Sequence, residues 1–288
     1  MICLIILCVI FLAYVIWQYF ELKKFKVTEY TVEHSLLHKE YTAVVLADLH
    51  GYTYGTHHAK LLEQIRSCKP DMILVPGDVI VSKQECTYET GLALFRELVQ
   101  IAPVYYSYGN HESRVTLPVS THREAFLAYA QELKACGVHI LNNAAIDYDG
   151  CIRILGLEIP LSCYHKGHCV QLPDNYLMRK LGTADTAHFQ ILLAHNPVYA
   201  PKYAGWGANL TLCGHNHGGL VRIPGIGSLI SPQFQLFPKY DAGAFDIDGK
   251  KVLVSRGLGT HTFHIRIFNR AELMCIRLKP QDIATKQN

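Results

Sequence analysis

The chain has 288 residues, of which half are hydrophobic and 18% are charged, so it is a folded globular protein and not a disordered one. The formal net charge of +3 is small for this length, and Lys and Arg form no dense cluster, so no nucleic-acid partner is expected. The ten cysteines are scattered, which favours reduced thiols over a disulfide framework. The 16 histidines favour a metal site, because imidazole is the commonest metal ligand.

Residues 1–20 carry no charged side chain and, as a helix, are long enough to cross a bilayer. Aromatic residues and then lysines follow the apolar run: Trp17, Tyr19, Lys23, Lys24 and Lys26. The order of charges and the lack of a small-residue cleavage site favour an uncleaved anchor over a cleaved signal peptide or a buried core helix. We therefore predict a single-pass protein with residues 1–20 in the lipid bilayer, residues 21–40 as a juxtamembrane segment, and the body on the cytoplasmic side.

The first half of the body alternates strand-like and helix-like segments. The predicted strands are Ala43–Ala47, Met72–Val75 and Pro103–Tyr106, and the predicted helices are His57–Cys68, Tyr88–Gln100 and Thr121–Ala135. This alternation predicts βαβ units and a largely parallel sheet.

Beyond Val138, strand-like segments are joined mostly by loops. These segments are Cys151–Leu155, Gln190–Ala194, Leu210–Cys213, Gly219–Ile223, Ala244–Ile247, Lys251–Ser255 and Leu273–Leu278. The pair Asp248-Gly249 predicts a two-residue hairpin turn. We predict an α/β fold with two sheets packed face to face and helices outside. It forms one domain over residues 41–280, and residues 281–288 are a C-terminal tail.

Side chains that bind metals follow five of the predicted strands. They occur in the motifs D-L-H (Asp48, His50), G-D (Asp78), G-N-H-E (Asn110, His111), an isolated His195, and G-H-N-H (His215, His217). Each motif alone is common by chance, and a histidine that ends a strand is more often a packed residue. Together, at strand ends that meet in one crevice, they predict one metal site. Imidazoles, carboxylates and an amide oxygen suit Mn, Fe or Zn.

This order of motifs resembles that of the calcineurin-like metallophosphoesterases, and the resemblance covers nearly everything after residue 40. The leader and the segments 255–259 (SRGLG) and 266–270 (RIFNR) resemble the YkuE/YaeI-type branch, which includes enzymes assigned as UDP-2,3-diacylglucosamine pyrophosphatases. The resemblance implies a four-layer β-sandwich flanked by helices and a metal-dependent phosphoester hydrolase. Many members carry a further Asp three positions after the bridging one, where this chain has Val81.

The resemblance also implies two divalent metal ions, with Mn expected and Fe or Zn as alternatives. Three residues would hold each ion and one would bridge: Asp48, His50 and His217 for the first, Asn110, His195 and His215 for the second, and Asp78 for both. His111 would be the catalytic residue that stabilises the transition state or protonates the leaving oxygen. The alternative for His111 is a structural role beneath the site.

Three further features have open interpretations. Arg256, His261, His264 and Arg266 are candidate contacts to an anionic substrate, or else solvated charges. The segment Cys163–Cys169 lacks the spacing of a structural zinc site, so it is a metal site, a loop over the substrate mouth, or a surface loop. Phe234–Tyr240 is either an apolar wall for an acyl chain or part of the core.

The leading hypothesis is hydrolysis of a phosphoester or pyrophosphate bond in a membrane-associated substrate. A phosphorylated or nucleotide-linked lipid such as UDP-2,3-diacylglucosamine, an intermediate of lipid A biosynthesis, or a phospholipid would fit the anchor. A nuclease or a cyclic-nucleotide phosphodiesterase is the alternative on the same fold, and a basic groove would favour it. A scaffolding module without activity would lack ligands, and here every ligand position is filled.

Overall fold

The computed structural model describes residues 2–84, 86–167, 169–219, 221–260 and 264–281, apart from the side chain of Cys86. The strands are β1 (Phe25–His34), β2 (Tyr41–Val45), β3 (Met72–Val75), β4 (Val104–Tyr106), β5 (His139–Ile140), β6 (Ala144–Tyr148), β7 (Ile152–Leu157), β8 (Phe189–Ala194), β9 (Leu210–Cys213), β10 (Arg222–Ile223), β11 (Gly227–Ser228), β12 (Gly243–Ile247), β13 (Lys250–Val254) and β14 (Ala271–Pro280). The helices are α1 (Ile2–Glu21), α2 (Ala59–Cys68), α3 (Cys86–Leu98), α4 (Asn110–Val115), α5 (Arg123–Ala135), α6 (Tyr176–Leu181) and α7 (Ala200–Trp206).

The strands form two six-stranded sheets. The first has the order β1-β14-β2-β3-β4-β5, with β2 to β5 parallel. The second has the order β12-β13-β9-β8-β7-β6, with β13, β9, β8 and β7 parallel and an antiparallel strand at each edge. The predicted turn at Asp248-Gly249 joins β12 to β13, and both residues have positive φ (51° and 74°), as this hairpin turn requires.

The central strands are apolar along their whole length because both faces of each sheet are covered. In β2, Val44 packs with the helices α2, α3 and α5, whereas Ala43 and Val45 pack against the second sheet. In β8, Ile191 faces the first sheet and Leu192 faces α7. The alternation produces four layers, helix, sheet, sheet and helix, and confirms the predicted four-layer fold.

The structure corrects three predicted elements. Residues 21–40 are not merely a juxtamembrane segment, because β1 lies there and pairs in parallel with β14 over ten residues. Its half-exposed, charge-rich sequence is that of an edge strand, and its partner comes from the far end of the chain. The predicted strand Gly219–Ile223 is reduced to β10, since Gly219 has φ of 83°, outside the strand region. The loops of the second half include α6 and α7, which have six and seven residues and show little periodicity.

Among the described residues, helix α1 contacts the body mainly through its last turn, where Gln18 and Glu21 are buried. Most of its other side chains are exposed, which excludes a buried core helix. By length and composition it could cross a membrane. The nine cysteine side chains that the structure describes are free thiols, as the sequence predicted.

Candidate metal centre

The predicted ligands meet at the carboxyl ends of the parallel strands of both sheets. Loops after β2 and β3 supply Asp48, His50 and Asp78, the start of α4 after β4 supplies Asn110 and His111, and loops after β8 and β9 supply His195, His215 and His217. All eight side chains are buried. The sandwich brings the two strand edges together, so ligands from distant parts of the sequence share one crevice.

Five of these residues have left-handed backbone conformations. They are Asp48 (φ 52°), His50 (φ 49°), Asp78 (φ 55°), His215 (φ 67°) and His217 (φ 50°). Each such residue costs about 1–2 kcal/mol relative to an ordinary conformation. Strain concentrated in this way is typical of functional sites, where the surrounding structure holds side chains in a fixed arrangement.

Two glycines allow the carboxylates to approach the neighbouring loops closely. A Cβ atom on Gly109 would lie 2.2 Å from Oδ1 of Asp78, and one on Gly214 would lie 2.7 Å from Oδ2 of Asp48. The same closeness lets main-chain amides bind the carboxylates: His111 N donates to Asp78 Oδ1 at 2.9 Å, and His215 N donates to Asp48 Oδ1 at 3.0 Å. Any larger residue at these glycines would displace a carboxylate.

The side chains form three overlapping groups of candidate metal-binding atoms, each within 4.8 Å. His50, Asp78 and His111 form one group, and we call the other two the metal clusters. In the first, Nε2 of His50 lies 3.1 Å from Nε2 of His217, which lies 3.9 Å from Oδ1 of Asp48. The second contains Asp78, His195 and His215, and Nε2 of His195 lies 3.1 Å from Oδ2 of Asp78. Oδ2 of Asp78 also lies 3.9 Å from Nε2 of His50, and Oδ1 of Asp48 lies 3.6 Å from Nε2 of His195, so both carboxylates lie between the two clusters.

These residues fit divalent metal ions by their hydrogen bonds as well as their positions. Oδ1 of Asn110 is buried and has no hydrogen-bond donor among the described residues. Nδ1 of His195 lies 2.8 Å from the carbonyl oxygen of Pro76. Only a protonated Nδ1 can make that bond, so in the neutral imidazole the lone pair is on Nε2, which faces Asp78. Oδ1 of Asn110 and Nε2 of His195 are therefore both available as metal ligands.

The hydrogen bonding of His111 is the reverse of that of His195. Nδ1 of His111 accepts a hydrogen bond from the main-chain N–H of Ser82 at 2.9 Å. A neutral ring with its Nδ1 lone pair occupied carries its proton on Nε2, so it can donate a hydrogen bond but cannot bind a metal. The ring is buried beside that of His50, with 4.9 Å between centroids.

Glu112 determines the shape of the loop that carries Asp78. Its buried carboxylate accepts hydrogen bonds from the main-chain N–H groups of Asp78, Val79 and Gly109 at 2.9 Å and of Ile80 at 3.2 Å. Burial and the charge of Asp78 raise its pKa to about 7, although these donors favour the anion. Glu112 is the last residue of the G-N-H-E motif, and the motif alone predicts no role for it. The sequence signal for this role is a carboxylate that directly follows candidate ligands at the end of a strand.

The two aspartates differ in their electrostatic environment. Burial raises the pKa of Asp48 to about 7. Burial also opposes ionisation of Asp78, but His195, His111 and His50 together hold its pKa well below the ordinary value. For His195, burial alone would lower the pKa, and the charges of Asp78 and Asp48 raise it to about 9. The protonated imidazole of His195 therefore balances part of the negative charge of the two carboxylates, as a bound cation would.

The metal clusters open into a cleft with further cationic residues at its mouth. It is lined by Asp78, Asn110, His215 and His217 together with Arg114, Tyr164, Lys166, Pro232 and Gln233. Composition and motifs gave no signal for Arg114. Lys166 and Tyr164 belong to the Cys163–Cys169 segment, which therefore borders the mouth. No metal-binding cluster among the described residues contains its cysteines, and His168 lies outside those residues.

One predicted substrate contact, Arg266, has a structural role. Arg266 is buried and donates to the carbonyl oxygens of Arg256, Gly257, Gly259 and Asn269, so its guanidinium supports the main chain and does not face a substrate. This prediction was wrong because sequence alone does not show where an arginine points.

The remaining predicted contacts are Arg256, His264 and His261. The Arg256 side chain lies beside Gly218, next to the ligand loop, since a Cβ atom there would lie 3.1 Å from its Cγ. His264 is exposed and lies 2.6 Å from the Thr260 hydroxyl, and His261 lies outside the described residues.

Comparisons with known proteins agree with this geometry. A family model described as calcineurin-like phosphoesterase matches residues 41–219. The chain is 26% identical over 211 residues to phosphodiesterase YaeI of Escherichia coli strain K12, covering 73% of this chain and 71% of that protein. It is 25% identical over 268 residues to the uncharacterized metallophosphoesterase YkuE of Bacillus subtilis strain 168, covering 91% and 88%. A dimetal phosphatase from Danio rerio has a TM-score of 0.44 at 13% identity, covering 76% of this chain and 88% of that one.

The family match spans more than half of the chain, and residues 41–219 contain every member of the two clusters. Family and geometry together support a dinuclear divalent metal site, as the resemblance of the motifs predicted. The chain belongs to the calcineurin-like phosphoesterase family and is a metal-dependent phosphoester hydrolase.

Proposed function

We propose that the protein hydrolyses a phosphodiester or pyrophosphate bond in a lipid or lipid-linked nucleotide that is held in a membrane. The observation that carries the proposal is the position of Asp78, whose Oδ2 lies 3.1 Å from His195 and 3.9 Å from His50, side chains of two different clusters. One carboxylate shared in this way suits a pair of ions. Asp48, His50 and His217 would bind the first ion, Asn110, His195 and His215 the second, and Asp78 both.

The chemistry of the donors favours Mn²⁺, with Fe or Zn as alternatives, since imidazole and carboxylate are combined with an amide oxygen. When bound, two such ions would supply a nucleophile from water and would stabilise the charge of the phosphoryl oxygens. The protein residues orient these parts. Main-chain amides fix the carboxylates of Asp48 and Asp78, and Glu112 fixes the loop between β3 and α3.

His111 is proposed as the catalytic residue that acts on the leaving oxygen. Its Nε2 proton follows from the Ser82 hydrogen bond, and a ring nitrogen of His111 lies within 4.8 Å of possible ligand atoms of His50 and Asp78. A proton held at Nε2 can be donated to an alkoxide or phosphate oxygen as the bond to phosphorus breaks. Arg114 and Lys166 at the mouth suit a substrate with additional negative charge.

A membrane substrate is inferred from α1. The helix is apolar and exposed, and its last turn is attached to the body beside the ligand loops. We propose that it anchors the protein, with the body on the cytoplasmic side because Lys23 and Lys24 follow it. The relative YaeI is named a phosphodiesterase, which supports a diester or pyrophosphate bond. UDP-2,3-diacylglucosamine, of the lipid A pathway, is the specific substrate we would test first.

The test is turnover by the purified full-length protein in detergent with Mn²⁺, beside the Asp78→Asn variant as a matched control. The substrates are UDP-2,3-diacylglucosamine, a phospholipid, bis-p-nitrophenyl phosphate, a cyclic nucleotide and single-stranded DNA. We expect hydrolysis of bis-p-nitrophenyl phosphate and of at least one lipid substrate, and none by Asp78→Asn. Hydrolysis of the generic ester without either lipid would reject the membrane substrate. Faster hydrolysis of a nucleotide or DNA would favour the alternative function.

A further inference from the structure

Large hydrophobic side chains are exposed beside the metal cleft. Outside α1, most of those in the described part of the chain lie in two segments, 221–237 and 264–270: Ile226, Phe234, Leu236, Phe237, Ile265 and Phe268. We call these six residues the apolar rim. Ile226 is 69% exposed and Phe268 is 66% exposed. The interpretation of Phe234–Tyr240 as part of the core is therefore wrong for Phe234, Leu236 and Phe237, whereas Tyr240 is buried.

The two segments of the rim form one unit. Val221 and Ile267 form a β-bridge, and Arg222 N donates to Ile267 O at 3.1 Å. The side-chain amide of Asn269 donates to the carbonyl oxygens of His217 and Gly219 at 2.7 Å, which ties the same unit to a predicted metal ligand.

The unit is also attached to the last turn of α1. The Gln18 side chain makes two hydrogen bonds of 3.1 Å with the main chain of Arg266. The Glu21 carboxylate binds the Arg270 guanidinium at 2.7 and 2.9 Å. The position of the rim relative to the end of the apolar helix is therefore fixed by side chains of the helix itself.

Three rim residues hold their rings in water at a conformational cost. Phe234, Phe237 and Phe268 have φ of 63°, 45° and 50°, in the left-handed region that bulky side chains avoid. Burial of the ring would ordinarily offset such strain, but these rings are 50%, 59% and 66% exposed. An apolar medium outside the protein would supply the missing burial.

Cations lie among these apolar residues. A surface cavity between Ile226 and Phe268 is lined by Arg222, Arg256 and Asp241. Arg222 is paired with Asp241 at 2.9 Å, whereas the guanidinium of Arg256 has no hydrogen bond or ion pair within the described residues. Lys166 lies 4.8 Å from the centre of the Phe234 ring. Exposed apolar side chains with cationic side chains between them suit contact with a membrane surface that contains anionic lipids.

We propose that the apolar rim enters the surface of a bilayer containing anionic phospholipids, with a headgroup in the cavity beside Arg256. Pro232 and Gln233 line the metal cleft and Phe234 follows them, so the cleft opens at the level of the headgroups. The supply of substrate from this surface rests on the proposed function, but the contact between rim and lipid can be measured without any turnover.

The test uses the full-length protein reconstituted in vesicles, with tryptophan as a depth probe. Phe268→Trp and Phe234→Trp place the probe in the rim, and Met178→Trp is the matched control, since Met178 is 59% exposed on α6, which packs on β6 and β7. Bromine on the lipid tails quenches tryptophan that enters the bilayer. The emission of Trp17 and Trp206 in the parent protein is subtracted.

We expect the rim probes to lose roughly half of their added emission in brominated vesicles, because an interfacial side chain enters about 5–10 Å into the bilayer. The control probe should lose none. Quenching should be stronger when bromine is on phosphatidylglycerol than on phosphatidylcholine, and Arg256→Gln should remove that difference. Rim probes no more quenched than Met178→Trp would overturn the proposal. If dilution of protein in the vesicles then changes their emission, the rim contacts a second copy of the chain instead. Equal quenching by the two lipids would overturn the headgroup site.

Discussion

Replacement of Glu112 by glutamine tests whether the metal site depends on a residue that is not a ligand. Oε1 of Glu112 accepts hydrogen bonds from the main-chain N–H groups of Val79 and Ile80, and Oε2 accepts those of Asp78 and Gly109. In Glu112→Gln one of these oxygens becomes an amide nitrogen, which can only donate. Two main-chain donors then face another donor within the buried loop.

The magnitude follows from the two lost hydrogen bonds. Bonds to a charged group contribute roughly 1.5–3 kcal/mol each, so the loss amounts to about 3 kcal/mol or more. For a chain of this size that corresponds to a fall in melting temperature of roughly 6–12 °C. Because the loop carries Asp78 in a strained conformation (φ 55°), we also expect weaker binding of metal.

The measurements are thermal unfolding without metal and Mn²⁺ content after dialysis. The control is Glu124→Gln, which removes an exposed carboxylate that forms an ion pair with Arg123 at 3.1 Å. An exposed pair of this kind is worth about 0–1 kcal/mol, so the control should melt close to the parent protein. If Glu112→Gln keeps the melting temperature and the metal content of the parent, the positioning role of Glu112 is refuted.

Asp78→Asn should lose at least about 10³-fold in kcat and most of its bound metal, as measured by turnover and elemental analysis, because this carboxylate lies beside histidines of both clusters. Retention of two ions would contradict the bridging role. His111→Gln should keep both ions and lose about 10²–10⁴ in kcat, because only a proton donor is removed. Loss of metal in that variant would instead identify His111 as a ligand. The affinity for Mn²⁺ should rise by up to about tenfold per pH unit from pH 7 to 9, since binding displaces the proton that Asp78 and Asp48 stabilise on His195 (pKa about 9). Below pH 7 the dependence should steepen, because Asp48 (pKa about 7) then holds a second proton. Calorimetry in buffers of different ionisation enthalpy counts these protons, and uptake of protons on binding would refute this account.

Much of the fold was accessible from local sequence patterns. The runs AVVLA and MILV are apolar at every position, as strands covered on both faces must be, and they correspond to β2 and β3. The positions of α2, α3 and α5 also followed from periodicity. Strand β1 was missed because its charged, half-exposed residues lack that pattern, and its pairing with β14 depends on a segment that begins at Ala271. Short helices such as α7 depend on tertiary packing more than on periodicity.

For the candidate site too, local sequence patterns gave part of the answer and tertiary contacts gave the rest. The residue types and their positions after strands indicated which side chains meet at the candidate metal centre, because strand ends meet at one edge of a parallel sheet. Sequence could not give the direction of a side chain. Arg266 resembled a substrate contact but binds main-chain carbonyl oxygens, whereas Arg114, which no motif singled out, lines the cleft.

The sequence by itself indicated the reaction class, because the order of its five motifs resembles that of the calcineurin-like metallophosphoesterases. The tertiary structure alone decided how closely the carboxylates and imidazoles approach one another and which ring nitrogen of each histidine carries a proton in the neutral ring. Those properties depend on contacts between residues far apart in the chain. The amide of Ser82 faces Nδ1 of His111, and the carbonyl of Pro76 faces Nδ1 of His195. Two imidazoles with the same intrinsic chemistry thereby receive opposite roles, because a ring nitrogen has one site that is filled either by a proton or by a lone pair.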